Sequence, residues 1–286
     1  MNTRASWVAA CVGALACTTP AAAAPFTFDN GDVDGRLASA SRPSSAGQFE
    51  IESADDFLLA NRTLISGASF VGLLPANAPL ASIGDVTVEV YRVFPLDSTV
   101  PPSGHVPTRA NSPSDVAFDS RDSAGAGLTF SSTLLNASFT ALNSIQPGGL
   151  HPLPGQTTGG DGAVSGQEVR IDVNFATPFD LAANHYFFIP QVSLANGSFL
   201  WLSSVRPIVP PGTPFAPDLQ AWVRDEFLAP DWLRAGTDVV GGSPAPTFNL
   251  AFSLAGETIP AVPEPETWAL MLAGLAGLAS RRRRRA

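Results

Sequence analysis

Cysteine is almost missing from this chain of 286 residues: there are two, Cys11 and Cys17, and both lie before Ala24, in a stretch that reads as a leader. The chain beyond that leader therefore has no disulfide framework and no thiol nucleophile, so burial alone must hold it together. Histidine is scarce as well, with only His105, His151 and His185, and no His-Glu-x-x-His zinc helix occurs. A Gly-x-Ser-x-Gly elbow and a phosphate-cradling glycine motif are also lacking, which removes the commonest local signatures of hydrolases and nucleotide enzymes. Basic side chains are few. Of the 16 Arg and Lys, Arg4 and Arg281 to Arg285 fall in the terminal segments, and of the 25 acids Glu264 and Glu266 do, so the body keeps 10 basic and 23 acidic groups, a formal charge of −13. Contacts to phosphate need a basic face, so nucleic acid is excluded as a partner. Divalent cations or neutral partners suit such a body better.

Helical periodicity is rare, and period-two alternation takes its place. From Gln167 to Phe175, Val169, Ile171, Val173 and Phe175 face one way while Glu168, Arg170, Asp172 and Asn174 face the other. Asp85 to Phe94 alternates likewise through Val86, Val88 and Val90, and Phe248 to Leu254 through Phe248, Leu250, Phe252 and Leu254. Further strands are expected at Phe49 to Ile51, Asp56 to Leu59, Ile65 to Leu74, Leu128 to Leu135, Tyr186 to Leu194 and Ser198 to Leu202. Strands with one apolar face must pair into two sheets to close a core, so the expectation is all-β: an antiparallel two-sheet β-sandwich of jelly-roll type over residues 24–256. Long Pro- and Gly-rich loops join the strands at Pro95 to Pro113, Gln146 to Gly166 and Arg206 to Pro217. One short helix is expected at Asp218 to Arg224, where Leu219, Trp222 and Val223 would share a face.

Both ends read as addresses. Arg4, the apolar run Trp7 to Ala16 and Ala21 to Ala24 form the three regions of a secretory signal peptide, 1–23, with cleavage expected after Ala23 because Pro25 would otherwise come directly after the cut. At the other end a linker, 257–267, carries Pro263-Glu264-Pro265. After it, 268–286 comprises the apolar run Trp268 to Ala279, Ser280, and Arg281, Arg282, Arg283, Arg284 and Arg285. An apolar run stopped by arginines is expected to enter a bilayer with its charged end on the cytoplasmic side. Twelve residues at ~1.5 Å each make only about 18 Å of helix against a ~30 Å core, a length that suits a temporary tether.

This tripartite tail resembles the PEP-CTERM sorting signal of Gram-negative bacteria, and the same tail is also known as an ice-binding protein C-terminal domain. The resemblance implies an exported protein. Its partners would be the Sec export machinery, a membrane held transiently and an exosortase, an integral-membrane cysteine transpeptidase or protease. By that resemblance Pro263, Glu264 and Pro265 are the recognition motif and Arg281 to Arg285 the membrane stop. The implied route runs through an inner-membrane intermediate to the cell surface or extracellular matrix. In the body, Ala54-Asp55-Asp56-Phe57 and His185-Tyr186-Phe187-Phe188 resemble a secreted bacterial β-sandwich of unassigned activity.

Three constellations could carry chemistry. Asn30, Asp32 and Asp34, with Gly31 and Gly35 between and after them, have the alternate oxygen spacing that wraps calcium, and equally that of a solvated polar turn. Asp55 and Asp56 could hold a cation or cap a strand. Trp201, Trp222 and Trp232 could stack on sugar rings, or fill the core. The expected function is a non-catalytic exported sandwich at the surface or in the matrix that binds exopolysaccharide. The alternatives are a polysaccharide hydrolase or lyase, which needs two carboxyls across a cleft, and a calcium-dependent adhesion protein.

Overall fold

The structure, a computed structural model, describes residues 23–45, 47–99, 105–150, 157–208, 218–260 and 265–283. Residues 1–22 of the expected signal peptide, with Cys11 and Cys17, and Pro263, Glu264, Arg284 and Arg285 lie outside the described residues. The chain divides into two compact units, one of them Ala23–Ile259 and the other Met1–Ala22 with Pro260–Ala286.

Among the described residues the first of these units holds fourteen strands: β1 (Ala24–Asp29), β2 (Val33–Ala40), β3 (Ile51–Leu59), β4 (Thr63–Leu74), β5 (Ile83–Arg92), β6 (Asp119–Asp122), β7 (Leu128–Ala141), β8 (Asn143–Ile145), β9 (Val164–Leu181), β10 (Asn184–Leu194), β11 (Leu200–Ser204), β12 (Trp222–Asp225), β13 (Leu233–Arg234) and β14 (Phe252–Thr258). They form an eight-stranded and a six-stranded sheet. In the larger one β4 is the hub. β9 pairs along its whole length on one side, from Thr63↔Leu181 to Leu74↔Gln167, with β7 beyond it. On the other side β14 and then β1 occupy the Thr63–Phe70 half, while β11, β2 and β8 follow from Gly72 and Leu73. The smaller sheet runs β13-β12-β3-β10-β5-β6. These strands pair antiparallel except β2 with β8, which is parallel and departs from the expected pattern.

Alternation places the core as expected. Val169, Ile171 and Val173 of β9 and Val86, Val88 and Val90 of β5 are all buried in one cluster, together with Phe57, Phe70, Phe188, Trp201 and Phe252. Rings from opposite sheets meet there: Phe188 stacks on Phe252 at 4.9 Å and lies 6.3 Å from Phe70. Full burial of each such side chain contributes about 1.5–3 kcal/mol. Gly72 lets β4 and β11 approach closely, for a Cβ at that position would lie 2.2 Å from the Phe199 ring and 2.5 Å from the Leu200 carbonyl oxygen.

The helix expected at Asp218 to Arg224 is instead an extended approach to β12. Trp222 pairs with Ala54 and Arg224 with Glu52, so ladder bonds to β3 override a helical face of barely two turns. The second unit's described part is a helix, α1 (Pro265–Arg283). No helix among the described residues is long and apolar enough to cross a membrane, which corrects the membrane helix expected at 268–286. The apolar run is short, alanine and glycine dilute it, and arginines occupy its last turn.

Candidate functional site

The Asn30 to Gly35 stretch comprises the turn after β1, Asn30 to Asp32, and the start of β2, with Gly31 at φ 83° and Gly35 at φ 69°, where a side chain would be strained. Its three oxygen-bearing side chains diverge. Asn30 turns inward and donates to Asp55 Oδ2 at 2.6 Å and to the Leu250 carbonyl at 3.1 Å, whereas Asp32 is exposed and Asp34 accepts from Arg36 N at 2.9 Å. Among the described residues no group of three or more His, Asp or Glu is arranged to hold a metal ion. The turn sends one amide, that of Asn30, into the core.

Asp55 and Asp56 are neighbours in β3 and therefore point to opposite faces. Asp55 is fully buried and accepts from Asn30 and from Leu250 N, also at 2.6 Å. Burial first, and the charge of Asp56 next, hold its carboxyl well above the usual carboxylate range. Asp56 bonds His185 Nε2 at 2.6 Å and accepts from Leu219 N at 2.9 Å, and burial raises it too. Both aspartates tie segments together, Asp55 on the face of β3 that carries Phe57 and Asp56 on the face that carries Ala54.

None of the three tryptophans presents a face to solvent. Trp201 sits between the sheets and donates to the Ala251 carbonyl at 2.9 Å. Trp222 and Trp232 lie in a second cluster with Ala54, Tyr91, Phe187 and Ile189, where Trp232 donates to the Ser114 carbonyl at 3.2 Å. A sugar-stacking platform from these side chains is therefore corrected to core packing.

Beside that second cluster lies a polar group that sequence reasoning missed. Tyr91 Oη donates to Glu52 Oε1 at 3.0 Å and lies 3.3 Å from Glu89 Oε2. Arg224 binds Glu52 through Nε, and its Nη2 reaches Tyr91 Oη at 2.9 Å. Gln191 donates to Glu50 at 2.9 Å. Burial, followed by the charge of Glu52, pushes Glu89 up to about 8. Glu52 is buried with one oxygen on Tyr91 and the other on Arg224. Alternation in β5 puts Glu89 and Tyr91 on one face and could have revealed half of this group. Glu52 and Arg224 come from distant strands, and only the fold joins them.

The open surface lies elsewhere. A groove of about 460 Å³ is lined by Asp29, Asp32, Ser69, Glu168, Arg170 and Ser253 among others. It occupies the outer face of the eight-stranded sheet, since Glu168 and Arg170 alternate with the buried Val169 and Ile171. Ser69 and Ser253 share a hydrogen bond at 2.9 Å on its floor, and burial raises the Glu168 carboxyl. Three carboxyls and two hydroxyls against one guanidinium give the groove a polar lining with an excess of acidic groups.

An acidic all-β body is followed along the chain by a helix whose last turn carries arginines. The tail is explicit: the model of the PEP-CTERM protein-sorting motif matches residues 261–285, and the chain is thereby an exosortase-targeted, exported protein. No curated protein and no solved structure matches the chain.

Proposed function

We propose that this is a non-catalytic surface or extracellular-matrix protein of a Gram-negative bacterium, whose β-sandwich contacts exopolysaccharide after exosortase processing. The observation that carries the reading is the sorting motif at 261–285, set in a unit distinct from the sandwich. The route follows from the ends. A Sec-dependent signal peptide at 1–23 is removed, the tail brings the chain to the inner membrane transiently, and Pro263, Glu264 and Pro265 are recognised there. The groove at Ser69, Arg170 and Ser253 supports a polysaccharide ligand, because hydroxyls and carboxylates bind sugar hydroxyls without requiring charge on the ligand.

Intact-mass measurement of the protein from culture fractions of its host tests the route. The expected species begins after Ala23, lacks the arginine block and is found outside the inner membrane; a cytosolic chain with both ends intact refutes it. Sedimentation with the host's own polysaccharide tests the ligand. Retention that falls for Arg170→Ala is expected, and no retention at all removes the binding half of the reading.

A further inference from the structure

One carboxylate in the groove on the eight-stranded sheet has no partner. Glu168 is only 8% exposed, and among the described residues no hydrogen bond or ion pair reaches its side chain. Its place in the ladder explains the isolation. Glu168 lies between Leu73 of β4 and Asn136 of β7, and the guanidinium two residues on, that of Arg170, is engaged by Asp172 Oδ2 at 3.0 Å. Leu73 is buried beside it, an apolar neighbour that takes solvent from the carboxylate without supplying a donor. Leaving such a group buried and unpaired is costly, and a position that alternates outward from β9 could carry a neutral side chain at no loss to the core.

The rest of the lining has the same sign. Asp29 and Asp32 add two carboxyls, and neither has an ion-pair partner among the described residues; Asp29 accepts from Gly31 N at 2.7 Å. Ser69 and Ser253 add hydroxyls, which both donate and accept. Among the described residues no three His, Asp or Glu side chains are arranged to hold a metal ion, which favours an organic cation. The volume of about 460 Å³ suits a small-molecule site or a short stretch of polymer.

We propose that the groove takes the free amine of an amino sugar, with the ammonium group on Glu168 and neighbouring sugar hydroxyls on Ser69 and Ser253. This rests on the polysaccharide reading above and narrows it to a polymer that carries unacetylated amines. Hydroxyl contacts serve any sugar, whereas a buried anion needs charge as well as a donor, and charge-assisted hydrogen bonds are about twice as strong as neutral ones. The body's formal charge of −13 draws a polycationic chain and repels an anionic one.

The test is titration calorimetry on the chain as recovered from its host, in about 150 mM salt so that diffuse attraction is screened. The probes are a soluble glucosamine oligomer, the same oligomer fully N-acetylated, and spermine as a cation without hydroxyls. The free-amine oligomer should bind about tenfold or more tightly than the acetylated one, and Glu168→Gln should abolish that preference. Asp32→Asn, at an exposed position where folding is not at risk, should weaken the free-amine oligomer about threefold. Asp85→Asn, an exposed acid on β5 of the other sheet, should change nothing. Unchanged circular dichroism shows that each variant is folded. Equal binding of the two oligomers, a preference that folded Glu168→Gln retains, or equal affinity for spermine overturns the proposal. Retention of the host's polysaccharide without an amine preference overturns it and leaves the broader reading standing; an amine preference that depends on Glu168, without retention of the host's polysaccharide, supports this site and removes the matrix reading.

Discussion

Glu89 should make this protein less stable as pH rises. Its carboxyl lies beside Tyr91 Oη and near Glu52 and Glu50, and burial with those charges pushes it up to about 8 from an ordinary 4.5. The folded chain thus keeps a proton that the unfolded chain gives up. The associated stability is complete below 4.5, declines between the two values and is lost once pH passes about 8. At 1.36 kcal/mol per pH unit the gap corresponds to nearly 5 kcal/mol; partial exposure reduces this to roughly 2–3 kcal/mol. Glu89→Gln keeps the shape and stays neutral at every pH. It should match the wild type near pH 4 and exceed it by roughly 2–3 kcal/mol at pH 9, or ~5–10 °C in Tm for a body of this size. Thermal and urea melts of both proteins from pH 4 to 9 supply the comparison. Parallel curves across that range would refute the reasoning.

Three further substitutions probe the interior. Arg224→Met strands a buried Glu52 carboxylate and should cost about 3–5 kcal/mol in urea unfolding, while adding Glu52→Gln should recover more than half of the loss. Asp55→Leu removes the acceptor for the Asn30 amide and for Leu250 N, and a loss of about 2–4 kcal/mol by the same measurement is expected. Gly72→Ala drives a methyl into the Phe199 ring and the Leu200 carbonyl, so soluble yield should collapse, whereas Gly47→Ala, where no atom lies within 4 Å, should be far milder despite its positive φ.

Strand parity is the readable part of the fold. Val169, Ile171 and Val173 face the core as their spacing implies, and the same holds for Val86, Val88 and Val90. β12 escapes sequence reasoning because Leu219, Trp222 and Val223 fit a helical face over so few residues that only the ladder to Ala54 and Glu52 decides between states. β1 and β2 escape it because the conspicuous residues, Asn30 to Gly35, span the turn between them and the start of β2. The aspartates are visible as a doublet, yet a doublet in a strand is split by the pleat, one member into each face, and that takes a known strand to see. Tryptophans resist such reading altogether: an indole that could stack on sugar and one that fills a core look the same until burial is known.

β14 lies in the interior of its sheet, between β1 and β4, and ends at Thr258, only a few residues before the sorting motif begins at 261. A chain threaded outward from its N-terminus therefore carries a sheet with an interior gap until almost the whole body has emerged. Completion of the sandwich and arrival of the sorting signal at the export channel become nearly simultaneous events. A molecule released before that moment would lack the segment that joins its first strand to the rest, which makes the timing of release a condition of reaching the native state.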